Sequence, residues 1–191
     1  QQQFISSTKT TSPVVGALEY SNGRLWFTGT ADRMVLSQSE GTVTSNTSIS
    51  NSTTETTIAT HTITAGELTV GRMVEARGFG SYSKASGAHD WTFRVKIGAT
   101  TIATFTAPSG AATDALIDVN VYGTCRTTGG SGTMMVTVVA RLDGQNFYYS
   151  PTTASTVDTT ASNTFVLTAQ ASAADAGTIA TITQTYIDWR N

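Results

Sequence analysis

The stretch Trp91-Thr92-Phe93-Arg94-Val95-Lys96-Ile97 decides the fold class of this chain. Apolar side chains occupy every second position, and polar or charged side chains occupy the positions between them. Successive residues of a β-strand point to opposite faces of a sheet, so the alternation predicts a strand with one buried face and one face toward water. One-sided strands of this kind are typical of antiparallel sheets.

The same alternation recurs at 117–121 and at 134–142, and turn residues separate further short β-like runs. The predicted strands cover residues 56–63, 73–82, 91–98, 100–106, 115–127, 132–142, 146–150, 163–171 and 178–189. The 111–116 stretch is compatible with a single helical turn, and no longer helical pattern is present. The sequence therefore predicts an all-β protein, an antiparallel two-sheet sandwich of the jelly-roll-like kind.

Composition limits the function classes. About one residue in five is Thr and only 13% are charged, so hydroxyl and amide groups rather than ions face the solvent. The formal net charge is −2, and the 11 basic residues are scattered, which argues against nucleic-acid binding. No apolar run approaches the roughly 20 residues needed to cross a bilayer, so no membrane insertion is expected.

The N-terminal part has a different texture. Asn22-Gly23 separates two short β-like runs, which is a strong signal for a β-hairpin. Residues 37–54 are Ser- and Thr-rich and read as a linker, or as an extended strand supported by neighbouring chains. The predicted organisation is a hairpin attachment segment over 1–36, a linker over 37–54 and a β-sandwich head over 55–191.

The hairpin carries more apolar side chains than an isolated hairpin can bury. Fully burying one such side chain contributes about 1.5–3 kcal/mol, so these residues need a partner surface. We predict that the following residues form contacts between copies of the chain: Leu18, Tyr20, Leu25, Trp26 and Phe27.

No sequence motif points to catalysis, a cofactor or a metal. Gly129–Gly132 precedes a predicted strand and lacks the Lys and helix of a phosphate-binding loop. The single cysteine, Cys125, falls on the apolar side of its strand and is predicted to be buried. His61 is interpreted as structural, and the acidic residues are dispersed rather than paired.

Two aromatic-polar segments are candidates for surface binding, because a ring supplies apolar area and a neighbouring polar group supplies hydrogen bonds. One is the predicted loop region 78–90, and the other follows the turn at Asp143-Gly144. The candidate contact residues are Tyr82, Lys84, His89, Asp90, Tyr148 and Tyr149.

The segment from Gly16 to Thr28, Gly-Ala-Leu-Glu-Tyr-Ser-Asn-Gly-Arg-Leu-Trp-Phe-Thr, resembles a hairpin of bacteriophage tail-fibre and related virion proteins. In those proteins the pattern G-x-x-E-Y-x-x-x-x-L-[WY]-F-T precedes a linker and a terminal β head. The stretches at 60–66 and 91–98 are similar to strands of such heads. The resemblance implies a homotrimer whose jelly-roll head touches the host surface, and it carries over no catalytic residue.

The expected function is therefore that of a non-enzymatic virion protein: a trimeric tail fibre or receptor-binding protein that attaches to a host glycan or protein. Its other expected partners are virion structural proteins. The alternatives are a capsid decoration or head-fibre protein and an extracellular carbohydrate-binding module; a tailspike-type glycanase is a further rival.

Overall fold

A computed structural model of the chain describes residues 15–16, 18–21, 24–28, 33–35, 38–40 and 46–190. These residues form fifteen β-strands and no helix. The N-terminal strands are β1 (Leu18–Ser21), β2 (Arg24–Thr28), β3 (Arg33–Val35), β4 (Gln38–Glu40) and β5 (Thr47–Ser50). The remaining strands are β6 (Thr56–Ile63), β7 (Met73–Lys84), β8 (Trp91–Ile97), β9 (Thr100–Thr106), β10 (Ala112–Thr127), β11 (Thr133–Leu142), β12 (Gln145–Tyr149), β13 (Ser155–Thr156), β14 (Asn163–Ala171) and β15 (Ile179–Arg190).

The predicted all-β fold class is confirmed, and the nine predicted strands are present with small shifts at their ends. The helical turn allowed at 111–116 is wrong. Strand β10 already begins at Ala112, and its pairing with β7 shifts register between Ala112 and Ala115. Asp114 lies in that irregularity with a φ of 49°, a left-handed backbone that breaks the alternation seen in the sequence.

The strands of the head form two facing antiparallel sheets. The large sheet has the order β12-β11-β10-β7-β15-β4, with β5 also paired to β15 and β13 to β11. The small sheet has the order β6-β14-β8-β9.

The pairing is nested in the way that defines a jelly roll. Strand β8 pairs with β9, β7 with β10, β6 with β14 and β5 with β15. A long hairpin folded over on itself produces this order, and its members alternate between the two sheets. Strands β11, β12 and β13 lie between β10 and β14 in the chain and extend the large sheet.

The core fills the space between the sheets. Trp91 and Phe93 of the small sheet are fully buried, and their ring centroids lie 6.2 Å apart. Met134 and Val136 of the large sheet are also fully buried. Alternate residues of each strand therefore enter one continuous core, as the period-two pattern predicts.

The turn between β11 and β12 follows its sequence signal. Leu142 pairs with Gln145, so two residues, Asp143 and Gly144, make the connection. Both have positive φ, 48° and 79°, as a two-residue hairpin turn of this type requires.

The predicted N-terminal hairpin is present. The register places Leu18 opposite Phe27 and Tyr20 opposite Leu25, and β3 adds a third strand beside β2.

The predicted linker contains paired strands. Strand β4 pairs with β15 at Ile187–Trp189, and β5 pairs with it at Ile179–Ile182. Parts of 37–54 are therefore extended strands held by the large sheet of their own chain, whereas the domain boundaries at 36 and 54 stay predictions.

Candidate functional site

The head has two distinct ends. Strand β4 pairs with the last residues of β15, so the N-terminal segment enters at the end where β7 begins and β15 finishes. We call this the base. The opposite end, where β7 finishes and β15 begins, carries the connections 51–55, 85–90, 107–111, 143–144 and 172–178, and we call it the distal end.

Hydrogen bonds between loops tie the distal end together. The Asp90 backbone N–H donates to Ser172 Oγ at 2.8 Å, and the Ser172 N–H donates to the Asp90 carbonyl at 2.9 Å. His89 Nδ1 lies 3.3 Å from Thr178 Oγ1. The predicted contact residues His89 and Asp90 are half-buried in this cluster, which positions them on a rigid scaffold at the tip of the head.

Two predicted surface residues are not at the surface. Tyr82 is 1% exposed and packs against Phe93, and burial raises its pKa to about 12. Lys84 is 2% exposed; its Nζ donates to the Pro108 carbonyl and lies 3.8 Å from Asp90 Oδ1.

The cause of this error is a strand end. We predicted the end of β7 near residue 82 and read residues 78–90 as a loop region, but β7 continues to Lys84. Because the alternation runs on, the even-numbered side chains of this strand face the core, and both Tyr82 and Lys84 follow that rule.

The second predicted segment lies away from the distal cluster. Tyr148 is 72% exposed and pairs with Val139 near the middle of β11, while Tyr149 is half-buried against the core. The structure therefore does not bring Tyr148 together with His89 and Asp90. It places Tyr148 on the outer face of the large sheet, the face turned away from the small sheet.

That outer face carries exposed apolar residues that the sequence analysis missed. Met73, Leu116, Tyr122 and Ile179 are each between 37% and 42% exposed, although their strand neighbours are buried. A signal was present in the sequence: Tyr122 occupies a polar-side position of the 117–125 alternation, where water would favour a polar side chain.

An ion pair lies at the centre of this face. Arg77 Nε and Nη2 donate to the two carboxylate oxygens of Asp118 at 3.1 and 3.0 Å, and Asn120 Nδ2 donates to Asp118 Oδ1 at 3.0 Å. The Arg77 guanidinium also lies 3.9 Å from the ring centroid of Phe79. The hydrogen bonds that Arg77 donates to Asp118 raise the Arg77 pKa above its usual value. Their two-pronged geometry fixes the guanidinium on the carboxylate.

The outer face of the small sheet carries charged and hydroxyl side chains in place of exposed large apolar ones. Glu55 lies 2.5 Å from Lys96 Nζ and 3.3 Å from Arg94 Nη1 and accepts a hydrogen bond from the Thr168 hydroxyl at 2.7 Å. These partners, the hydrogen bond from Lys96 first among them, lower the Glu55 pKa. Exposed threonines surround this network: Thr60, Thr62, Thr104 and Thr106.

Between the sheets, the described residues enclose a small cavity of about 30 Å³, lined mainly by Ala, Val, Leu and Phe side chains. His61 lies at this cavity and contacts Thr185 Oγ1, in keeping with the structural role predicted for it. A cavity of this size has room for one or two water molecules, whereas small-molecule sites measure about 300–1,000 Å³.

Cys125 is buried at 1% exposure, as predicted, and burial raises the pKa of its thiol. Within the described ranges, no three His, Cys, Asp or Glu side chains are grouped so that they could hold a metal ion. In the part of the chain that the structure describes, no helix is long and apolar enough to cross a membrane.

The sequence matches no protein-family profile and no curated protein. The geometry defines a jelly-roll sandwich with a hairpin-bearing N-terminal segment. Its two ends and its two outer faces differ in the residues that they present.

Proposed function

We propose that this chain is a structural virion protein of a bacteriophage, a trimeric tail fibre or receptor-binding protein that attaches to the host cell surface. One observation carries the proposal. The N-terminal segment enters the jelly roll at the base, and five connections gather at the opposite, distal end. This polarity supports a protein that is anchored by one end and makes contact with the other.

The distal loops suit a recognition role. Binding residues are found disproportionately on loops that a rigid scaffold positions. His89 and Asp90 belong to such loops, and the hydrogen bonds to Thr178 and Ser172 limit their motion. We propose that these two residues contact the host glycan or protein, and that the contact is binding without cleavage.

The proposed trimer makes weak contacts useful. Linked heads raise the effective concentration at a surface, so avidity exceeds the affinity of one head by about 10²–10⁴. The register of the hairpin supports association: it pairs Leu18 with Phe27 and Tyr20 with Leu25, and Phe27 is half-buried. The side chains of Leu18, Tyr20, Leu25 and Trp26 lie outside the described residues, so their part in the trimer stays a prediction.

The alternatives keep the same fold and change the location or the ligand. A capsid decoration or head-fibre protein would use the same polarity on another part of the particle. An extracellular carbohydrate-binding module is favoured by one observation, the exposed rings of Tyr122 and Tyr148 on a sheet face. Such a module would be a monomer.

Two measurements test the proposal. Antibody labelling of phage particles should place the protein on the virion, at the tail for a fibre and on the capsid for a decoration protein. Light scattering should give three times the chain mass of 20.0 kDa. A stable monomer that is absent from particles would contradict the proposal, and cleavage of host polysaccharide by the purified protein would contradict the non-enzymatic role.

A matched pair of variants tests the distal end. His89→Ala should lower binding of the protein to host cells about tenfold or more, because it removes a side chain at the proposed contact. Val70→Ala is the control, since Val70 is 63% exposed in a connection at the base. Equal binding by both variants would remove His89 from the contact surface.

A further inference from the structure

The exposed apolar side chains of the head are distributed unevenly. Among the strand residues whose side chains the structure describes, all exposed large hydrophobic side chains lie on the outer face of the large sheet. They are Met73, Leu116, Tyr122, Tyr148 and Ile179. Exposed apolar side chains concentrated on one face of a soluble protein indicate an interaction site.

A row of register partners crosses the face between these exposed residues. Along one row of neighbouring strands, the register runs from Tyr186 through Arg77, Asn120 and Val139 to Tyr148. Cross-strand neighbours on one face lie about 4.5–5.5 Å apart, so this row forms a continuous strip. Phe79 lies beside the strip, under the Arg77 guanidinium.

One ion pair at the centre of this face is already satisfied within the chain. Asp118 accepts two hydrogen bonds from Arg77 and one from Asn120. Covering an unpaired charge is costly, whereas a hydrogen-bonded pair can be covered at much lower cost. The Arg77–Asp118 pair can therefore be covered at low cost, whereas the exposed Arg141, the register partner of Asp118, has to stay in water or meet an acceptor on the neighbouring copy.

The face is somewhat smaller than one side of a standard protein contact, so contacts through it would add to those of the hairpin rather than replace them. Five neighbouring strands about 4.8 Å apart and about ten residues long, at about 3.3 Å per residue, span about 20 by 33 Å, or about 650 Å². Each partner of a standard interface contributes about 800 Å². A small ligand would cover only part of such a surface.

The path of the chain indicates what covers this face. The N-terminal segment enters the head through β4, which pairs with β15 at the edge of the large sheet and not with the small sheet. When copies are joined through their N-terminal segments, the large sheet of each head is therefore the sheet next to the junction. Copies tethered in this way are at high effective concentration for one another.

We propose that the outer face of the large sheet packs against other copies of this chain, so that the heads associate through it. The inference rests on the proposed trimer and deepens it, because it assigns the head its own interface beside the hairpin. In a three-fold assembly the contact is heterologous: one part of the face on one copy meets another part on the next. The outer face of the small sheet remains in water.

Two lysines on this face test the inference in the full chain. Leu116→Lys with Tyr122→Lys adds charges that cannot be covered, while both positions are exposed enough to accept lysine in a single chain. Sedimentation equilibrium should show at least a tenfold weaker assembly. Tyr122→Thr is the milder variant and should weaken it in the same direction, because threonine keeps a β-branched residue in the strand.

The control carries lysine on the other sheet. Thr60→Lys places the same charge at an exposed position of the small sheet and should leave the assembly unchanged. Thermal unfolding of every variant checks that the head is folded.

Each of the following outcomes would contradict either the proposed trimer or the proposed head interface. A monomeric wild-type chain would remove the proposed trimer itself. A trimeric wild type whose face variants assemble with unchanged affinity would overturn this inference alone. Face variants that keep the wild-type mass but no longer bind host polysaccharide would assign the face to a glycan and also overturn the inference.

Discussion

The two sheets of the head bury inner faces of the same kind but present outer faces of opposite character. On the small sheet, Glu55, Arg94 and Lys96 form an ion network among exposed threonines. On the large sheet, an internal Arg77–Asp118 pair and the exposed Arg141 share the face with exposed aromatic and aliphatic side chains. Fold stability accounts for the apolar inner faces, but it does not account for the exposed apolar side chains on the outer face of the large sheet.

The largest expected effects lie on the inner faces, where the sheets should be equivalent. Phe93→Ala on the small sheet and Met134→Ala on the large sheet each remove a side chain with 0% exposure. We expect a loss of about 3–5 kcal/mol for the first and about 2–5 kcal/mol for the second in the free energy of unfolding, measured with denaturant. A loss below 1 kcal/mol at either site would break the equivalence of the inner faces.

A smaller effect is expected where two strands of the large sheet approach closely. A Cβ at Gly80 would overlap the Thr181 carbonyl oxygen and lie 2.9 Å from Ile182 Cα. Because backbone atoms cannot yield as a side chain does, Gly80→Ala should destabilise the head by about 1–3 kcal/mol. Gly130→Ala is the control, since a Cβ there meets nothing within 4 Å. Equal stability of the two variants would contradict the close approach.

The ion network of the small sheet should contribute to the pH dependence of stability in the acid range. The Glu55 pKa is lowered from 4.5 in the folded chain, mainly by the hydrogen bond from Lys96. Its contribution to stability is therefore present above the unfolded pKa and is lost as the pH falls through the folded pKa. Denaturant midpoints between pH 7 and pH 3 should fall less steeply for Glu55→Gln than for the wild type.

Lys96→Met sharpens the same experiment. It removes the donor that lowers the Glu55 pKa, so it should flatten the same part of the pH curve. Curves for both variants that run parallel to the wild-type curve would show that the network contributes nothing measurable to stability.

The smallest change in stability is expected on the outer face of the small sheet. Thr60→Lys replaces one exposed polar side chain by another on the small sheet. Surface substitutions of this kind change stability by less than about 0.5 kcal/mol, and thermal unfolding should show no larger shift. A marked loss of stability would mean that something covers the small sheet.

Most of the head could be predicted from the sequence because the alternation carries a direct physical signal. Trp91 to Ile97 alternate as their strand does, and the predicted bounds 100–106 and 163–171 agree with β9 and β14. The errors arose where local conformation departs from that signal. Asp114 adopts a positive φ that no pattern marks, and β7 runs to Lys84 past a segment with loop-like composition.

The candidate site was less predictable because it depends on which residues the fold brings together. His89 and Asp90 meet Thr178 and Ser172 across more than eighty residues of chain. Tyr122 becomes part of a surface only when β7, β11 and β15 lie in one sheet with β10. Periodicity assigns a residue to a face, but the neighbours on that face come from the order of strands.

The proposed packing of the large sheets is tested by the accessibility of the two outer faces in the intact assembly. Tyr122→Cys and Thr60→Cys place a thiol on the large and the small sheet, and the native Cys125 is buried. At protein concentrations where the mass is that of the trimer, maleimide should label position 122 at least tenfold more slowly than position 60, and dilution to the monomer should remove the difference. Equal labelling rates in the assembled protein would contradict the account.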